Sequence, residues 1–153
     1  MMISYYKPNA VSVMKLLNQA VSSGAYQQNI GWKHRSLAML AGEYGLIGIN
    51  QNLIEWAENV AFDRFLYSLR NGPVLASIHH KFDPNAGLGH LVVVTGFEND
   101  VIFYLDPEGP RIEKTISVVD FLRGWKKRFI VIREGLLESE AKESKSLSLI
   151  GVL

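Results

Sequence analysis

The stretch from His90 to Leu105 constrains the fold most. HLVVVTGF is the most β-branched run in the chain, and it is followed by Glu98-Asn99-Asp100 and then by VIFYL. Two apolar runs of strand length joined by polar turn residues predict an antiparallel hairpin. More sheet is expected around it. The apolar run at 73–79 follows a Gly72-Pro73 break and reads as a buried strand. Residues 111–116 alternate weakly, and FIVIR at 129–133 closes the series. Before Gly72 the period is helical. Pro8-Asn9 is a turn, and Val11, Met14, Leu17 and Val21 mark a first helix that stops at Ser22-Ser23-Gly24. Residues 34–44 carry Leu37, Leu40 and Ala41 on one stripe, with Gly45 as C-cap. Residues 50–56 read as a short turn of helix. Phe62, Phe65, Leu66 and Leu69 mark a third full helix, closed by Asn71-Gly72. Residues 82–89 read as a loop, and Ser117 as the cap of a short helix running to Trp125. Helices first, then a mostly antiparallel sheet, is an α+β layout.

The chain has 153 residues, 48% of them hydrophobic, which is one domain's worth of core and excludes disorder for its bulk. Two segments are expected: a domain at 1–135 and a Glu/Lys/Ser-rich tail at 136–153, outside the core. The net charge of +1 argues against a nucleic-acid binder. Arg123, Lys126, Lys127 and Arg128 form the only local basic cluster, which reads as a solvated helix end. No apolar run approaches the roughly 20 residues of a membrane span, and MMISYYKPNA lacks the features of a signal peptide. The expectation is a soluble chain of unknown compartment.

There is no cysteine. That excludes disulfides, thiolate zinc sites and a cysteine nucleophile within these residues. The histidines are His34, His79, His80 and His90. A zinc reading would use the His79-His80 pair with His90 or Asp83, but neighbouring strand residues point to opposite faces, so His79 and His80 do not readily share an ion, and no HExxH spacing is present. Neither a metal nor a cofactor is expected. His90 differs in its setting. It follows Gly87-Leu88-Gly89, and the hairpin brings it beside Asp106, sixteen positions on, at the same end of the paired strands. A carboxylate beside an imidazole fixes its tautomer, as in the orienting half of a nucleophile–base–orienter triad. On spacing alone this reading stands level with another, in which Asp106-Pro107 initiates a turn and His90 merely opens a strand.

GWKHRSLAMLAGEYGL, LRNGPVLASI, GLGHLVVVTGF and VIFYLDPEG, in that order and spacing, resemble the bacteriocin-processing (double-glycine leader) cysteine peptidase family of the papain-like superfamily. The resemblance covers roughly residues 1 to 133. It implies a papain-like α+β fold, a peptide or protein substrate in a cleft, and thiol-dependent peptide hydrolysis. Residue by residue, it makes His90 the base and Asp106 its orienter. Gly31-Trp32-Lys33-His34 resembles a segment of the family, read as a core Trp with a capping His.

The family's nucleophile is a cysteine at the start of a helix, and this chain has none. Residues 2–6 resemble the last turns of that helix, which puts the cysteine about seven residues before Met2. The expectation is therefore a domain incomplete at its N-terminus. Ser4 and Ser12 are the nearest hydroxyls, and neither is a convincing substitute. Three readings follow: a fragment of a cysteine peptidase, a catalytically dead relative that binds peptide, or a purely structural domain. Loss of the nucleophile helix also leads us to expect association through an exposed apolar face.

Overall fold

The computed structural model describes residues 1–135; the expected tail at 136–153 lies outside the described residues. In chain order the elements are α1 (Met2–Tyr6), α2 (Val13–Ser22), β1 (Tyr26–Gln27), β2 (Gly31–Trp32), α3 (His34–Leu40), β3 (Ile47–Asn52), α4 (Glu58–Arg70) and β4 (Val74–His79). They continue with β5 (Gly89–Glu98), β6 (Val101–Leu105), β7 (Lys114–Ser117), α5 (Val118–Gly124) and β8 (Trp125–Arg133). Six strands make one sheet, ordered β3-β8-β4-β5-β6-β7, with every neighbouring pair antiparallel. The architecture is the expected α+β one.

The hairpin forms as its sequence requires. Glu98 pairs with Val101 across Asn99-Asp100, both at positive φ (50° and 60°), which matches the right-handed twist of the strands. A bulge between Val94 and Gly96 adjusts the register. Period-2 alternation sorts the sheet's side chains onto two faces. Val74, Ala76, Ile78, Val92, Val94, Phe129 and Val131 pack against Phe65 and Leu69 of α4 and Phe121 of α5. Leu75, Val93, Leu105, Ile130 and Ile132 pack against Met2 and Ile3 of α1 and Ala38 of α3.

Three expectations are corrected. Residues 50–56 are not a helical turn throughout, because β3 runs through Asn52 and pairs six residues with β8; only 53–56 turn, with Trp56 N–H donating to the Leu53 carbonyl. Long-range pairing overrode a weak local pattern. The closing strand starts at Trp125 rather than 129, so Lys126, Lys127 and Arg128 belong to β8 and are not a helix end. Only Arg123 sits on α5, paired with Asp120 at 2.7 Å. On α2, Leu16 and Ala20 face inward against Leu37 and Leu40, while Met14 (64% exposed), Leu17 (41%) and Val21 face solvent. The periodicity identified a helix, but docking onto α3 selected the narrower Leu16–Ala20 stripe. In the second helix the α geometry ends at Leu40 and tightens to a 3₁₀ turn through Tyr44, capped by Gly45 at φ 70°.

Candidate active site

His90 is the second residue of β5, and Asp106 directly follows β6. With Val93 opposite Leu105, both side chains lie at one end of the hairpin. His90 Nε2 and Asp106 Oδ1 are 2.8 Å apart, with the side chains 11% and 23% exposed. A carboxylate only accepts, so Nε2–H donates, and in the neutral ring Nδ1 is then the nitrogen with the free lone pair. Asp106 Oδ1 also accepts the Glu108 N–H at 3.0 Å, closing an Asx turn over Pro107. Lys114 Nζ stands 3.9 Å from the other carboxylate oxygen. Burial by itself raises the Asp106 carboxyl. The His90 hydrogen bond, the Glu108 N–H and the His90 and Lys114 charges outweigh that and hold it below the ordinary range.

Two further residues enter: Glu108, which spacing did not single out, and His80, which the sequence offered only as a metal ligand. Glu108 Oε2 is 3.1 Å from His80 Nε2, and its Oε1 is 3.8 Å from His90 Nδ1. The His80 and His90 rings meet edge to face at 5.7 Å. His80 starts a short turn in which Lys81 and Phe82 take left-handed φ values of 55° and 58°. That turn rests on α5, where a Cβ on Gly124 would stand 2.5 Å from the Phe82 Cα. The signal for Glu108 was present in DPEG, since an Asx turn at Asp106 carries the residue two positions on back over the same strand end. His80 had no such signal, because its position depends on how the turn packs on α5.

His80, Phe82, Tyr104, Asp106, Glu108 and Lys114 are among the residues lining a cavity of about 320 Å³ on this side of the sheet. Phe82 and Tyr104 meet edge to face at 5.3 Å and form its apolar wall. Burial, then the Asp106 charge, pushes the Tyr104 phenol up, so it is protonated at neutral pH. The cavity thus offers an apolar wall, a phenol, the ammonium groups of Lys81 and Lys114, the Asp106 and Glu108 carboxylates and the His80 imidazole. Among the described residues no group of three or more His, Asp or Glu is placed to hold a metal ion.

Neither serine weighed as a nucleophile is placed to serve His90. Alternation puts His90 with Val92 and Val94 on the α4 side of the sheet, whereas α1, which carries Ser4, packs on the α3 side. Ser12 Oγ accepts the Lys15 N–H at 3.2 Å and caps α2. His34 is not a cap: it is the first residue of α3, whose capping residue Lys33 makes no side-chain bond. Trp32 is half-buried on the Ala20/Ala25/Leu40 cluster, edge-on to Tyr26 at 5.1 Å, and is not a core residue.

No protein-family model and no curated protein matches the sequence. Solved structures do. The peptidase domain of Streptococcus ComA, a bi-functional ABC transporter involved in a quorum sensing pathway, is similar with a TM-score of 0.63 and 16% identity over 87% of this chain and 85% of that one. A double glycine motif protease from an AMS/PCAT transporter, solved in complex with the leader peptide, gives 0.59 and 18% over 88% and 79%. The N-terminal peptidase C39 like domain of the toxin secretion ATP-binding protein from Vibrio parahaemolyticus gives 0.55 and 14% over 87% and 90%. The fold is that of the papain-like C39 peptidase domains, as the motif resemblance implied.

Proposed function

We propose that these residues form a peptidase-like domain of the double-glycine, bacteriocin-processing type, which binds a peptide in the cleft beside His90 and does not itself cut it. The carrying observation is the 2.8 Å contact that orients His90 through Nε2 while no cysteine exists anywhere in the chain to face Nδ1. In a thiol peptidase of this type the imidazole takes the thiol proton, the thiolate attacks the peptide carbonyl, and the imidazolium then protonates the leaving amine. Asp106 orients the ring and stabilises its charged form. This chain carries the base and the orienter, and the cavity wall of Phe82 and Tyr104 supplies apolar contact for a peptide side chain. A similar structure holding a leader peptide supports the same class of occupant here.

The test is a fluorescence-quenched peptide library presented to the purified 153-residue chain, with anisotropy of the same peptides as the binding readout. The expected result is no turnover, with saturable binding of a subset of peptides that weakens in Phe82→Ala and His80→Ala. Turnover that disappears in His90→Ala would overturn the non-catalytic half of the proposal. Failure of every peptide to bind would overturn the other half.

A further inference from the structure

The opposite face of the same strand ends carries a second set of groups. Lys126 and Lys127 form a bulge in β8 between the Trp125–Ile78 and Arg128–Ser77 pairs, with Lys127 at φ 52°. The bulge separates the fates of the cations. Lys127 Nζ donates to the Trp56 carbonyl at 2.8 Å. Lys126 Nζ instead lies over Gly89, 3.1 Å from where a Cβ would stand. Gly89 pairs with His79, and paired residues present their side chains on one face, so the ammonium lies on the His79 side. Arg128, opposite Ser77 and Asn52, shares the face of Ile130, onto which α3 packs with His34 at its start.

Four basic or titratable side chains thus share one face at one end of the sheet, and among the described residues no carboxylate pairs with any of them. His79 Nδ1 and Arg128 Nε are buried there without a hydrogen-bond partner. Buried donors and like charges left uncompensated are costly, which is a reason to look for an anion that answers them. The state of the groups agrees. Burial first, then the Arg128 and Lys126 charges, pushes His34 down, and burial followed by Arg128 does the same to Lys126.

The geometry points to an anion subsite formed by His34, His79, Lys126 and Arg128 that takes a carboxylate of the bound peptide. His79 and Gly89 are the immediate chain neighbours of Ile78 and His90. A peptide crossing this end of the sheet would meet the imidazole of His90 on one face and the cations on the other. This deepens the peptide-binding proposal and rests on it, naming an acidic peptide as the preferred class.

The experiment compares a capped, fluorescein-labelled octapeptide carrying one glutamate with its glutamine counterpart, using the full chain and the Lys126→Ala/Arg128→Gln double variant. Sodium sulfate is titrated separately while the His34 and His79 ring resonances are followed. The glutamate peptide is expected to bind about tenfold tighter or more, the scale of a charge-assisted hydrogen bond. The double variant should abolish that preference and Arg128→Lys should keep much of it. Equal affinity for the two peptides would overturn the subsite and leave peptide binding intact. If neither peptide binds, sulfate decides: shifts that saturate and vanish in the double variant assign the cluster to a small inorganic anion, overturning the peptide carboxylate. Unmoved resonances would overturn the anion site altogether.

Discussion

Arg133 is the side chain whose removal should do most damage. It ends β8, is 5% exposed, and spreads its guanidinium over three segments. Nη1 donates to the Pro73 carbonyl at 2.8 Å, the Ile132 carbonyl at 2.9 Å and the Tyr6 hydroxyl at 3.1 Å. Nη2 donates to the Ser68 carbonyl at 2.6 Å and the Gly72 carbonyl at 3.2 Å. One cation therefore holds the C-terminal end of α4, the entry to β4 and the last residue of α1. In Arg133→Met the volume is kept but the Gly72 and Pro73 carbonyls lose their donor, at about 1–3 kcal/mol each. Loss of a cation at the end of α4 adds about 0.5 kcal/mol. The expected total is about 2.5–6.5 kcal/mol, against a domain stability of roughly 5–15 kcal/mol. Urea melts followed by circular dichroism, with Tyr6→Phe and Arg133→Lys alongside, measure it. Tyr6→Phe should lose about 1 kcal/mol or less. Arg133→Lys should fall between, because an ammonium lacks the fork that reaches both sides. An Arg133→Met variant within about 1 kcal/mol of the parent would refute the reasoning, since that is the worth of a single ordinary hydrogen bond.

Asp106→Asn should lower stability by about 1 kcal/mol near neutral pH, since it replaces a charge-assisted bond to His90. Because the folded-state carboxyl sits below its free value of 3.8, that contribution is present above the unfolded pKa and lost as pH falls through the folded one. Melts of parent and variant should thus differ above about pH 4 and converge as the pH falls below it; a gap that keeps widening below about pH 4 would refute this sign. Gly124→Ala puts a Cβ 2.5–2.8 Å from the Phe82 Cα, Cβ and carbonyl oxygen. It should cost about 2–3 kcal/mol and displace the turn that carries His80, read as a shift of the His80 ring resonances and weaker peptide binding. Unchanged His80 resonances would show that the turn does not depend on that contact.

The hairpin was legible because each of its signals is local: two β-branched runs, a polar turn, and a spacing of sixteen between His90 and Asp106. α4 was legible for the same reason, since Phe65 and Leu69 repeat at helical spacing and both are buried. β3 was not, because IGINQN carries little apolar alternation and becomes a strand by pairing with β8. The N-terminal half of β8 was hidden by its charges, which lie in a bulge where no alternation survives. Glu108 was partly readable from the Asx turn; His80 was readable as a candidate histidine but not by its place beside Glu108.

By itself, the sequence determined the α+β class, the meeting of His90 with Asp106, and the lack of any thiol to complete them. These follow from short-range periodicity, turn chemistry and composition. Tertiary structure alone decided that Leu16 rather than Leu17 faces the core, that Glu108 bridges His80 and His90, and that His34, His79, Lys126 and Arg128 share one face of the sheet end. Each of those depends on which face of one element packs on another distant in the chain. That choice is made by the summed burial of the whole domain rather than by any local run of residues.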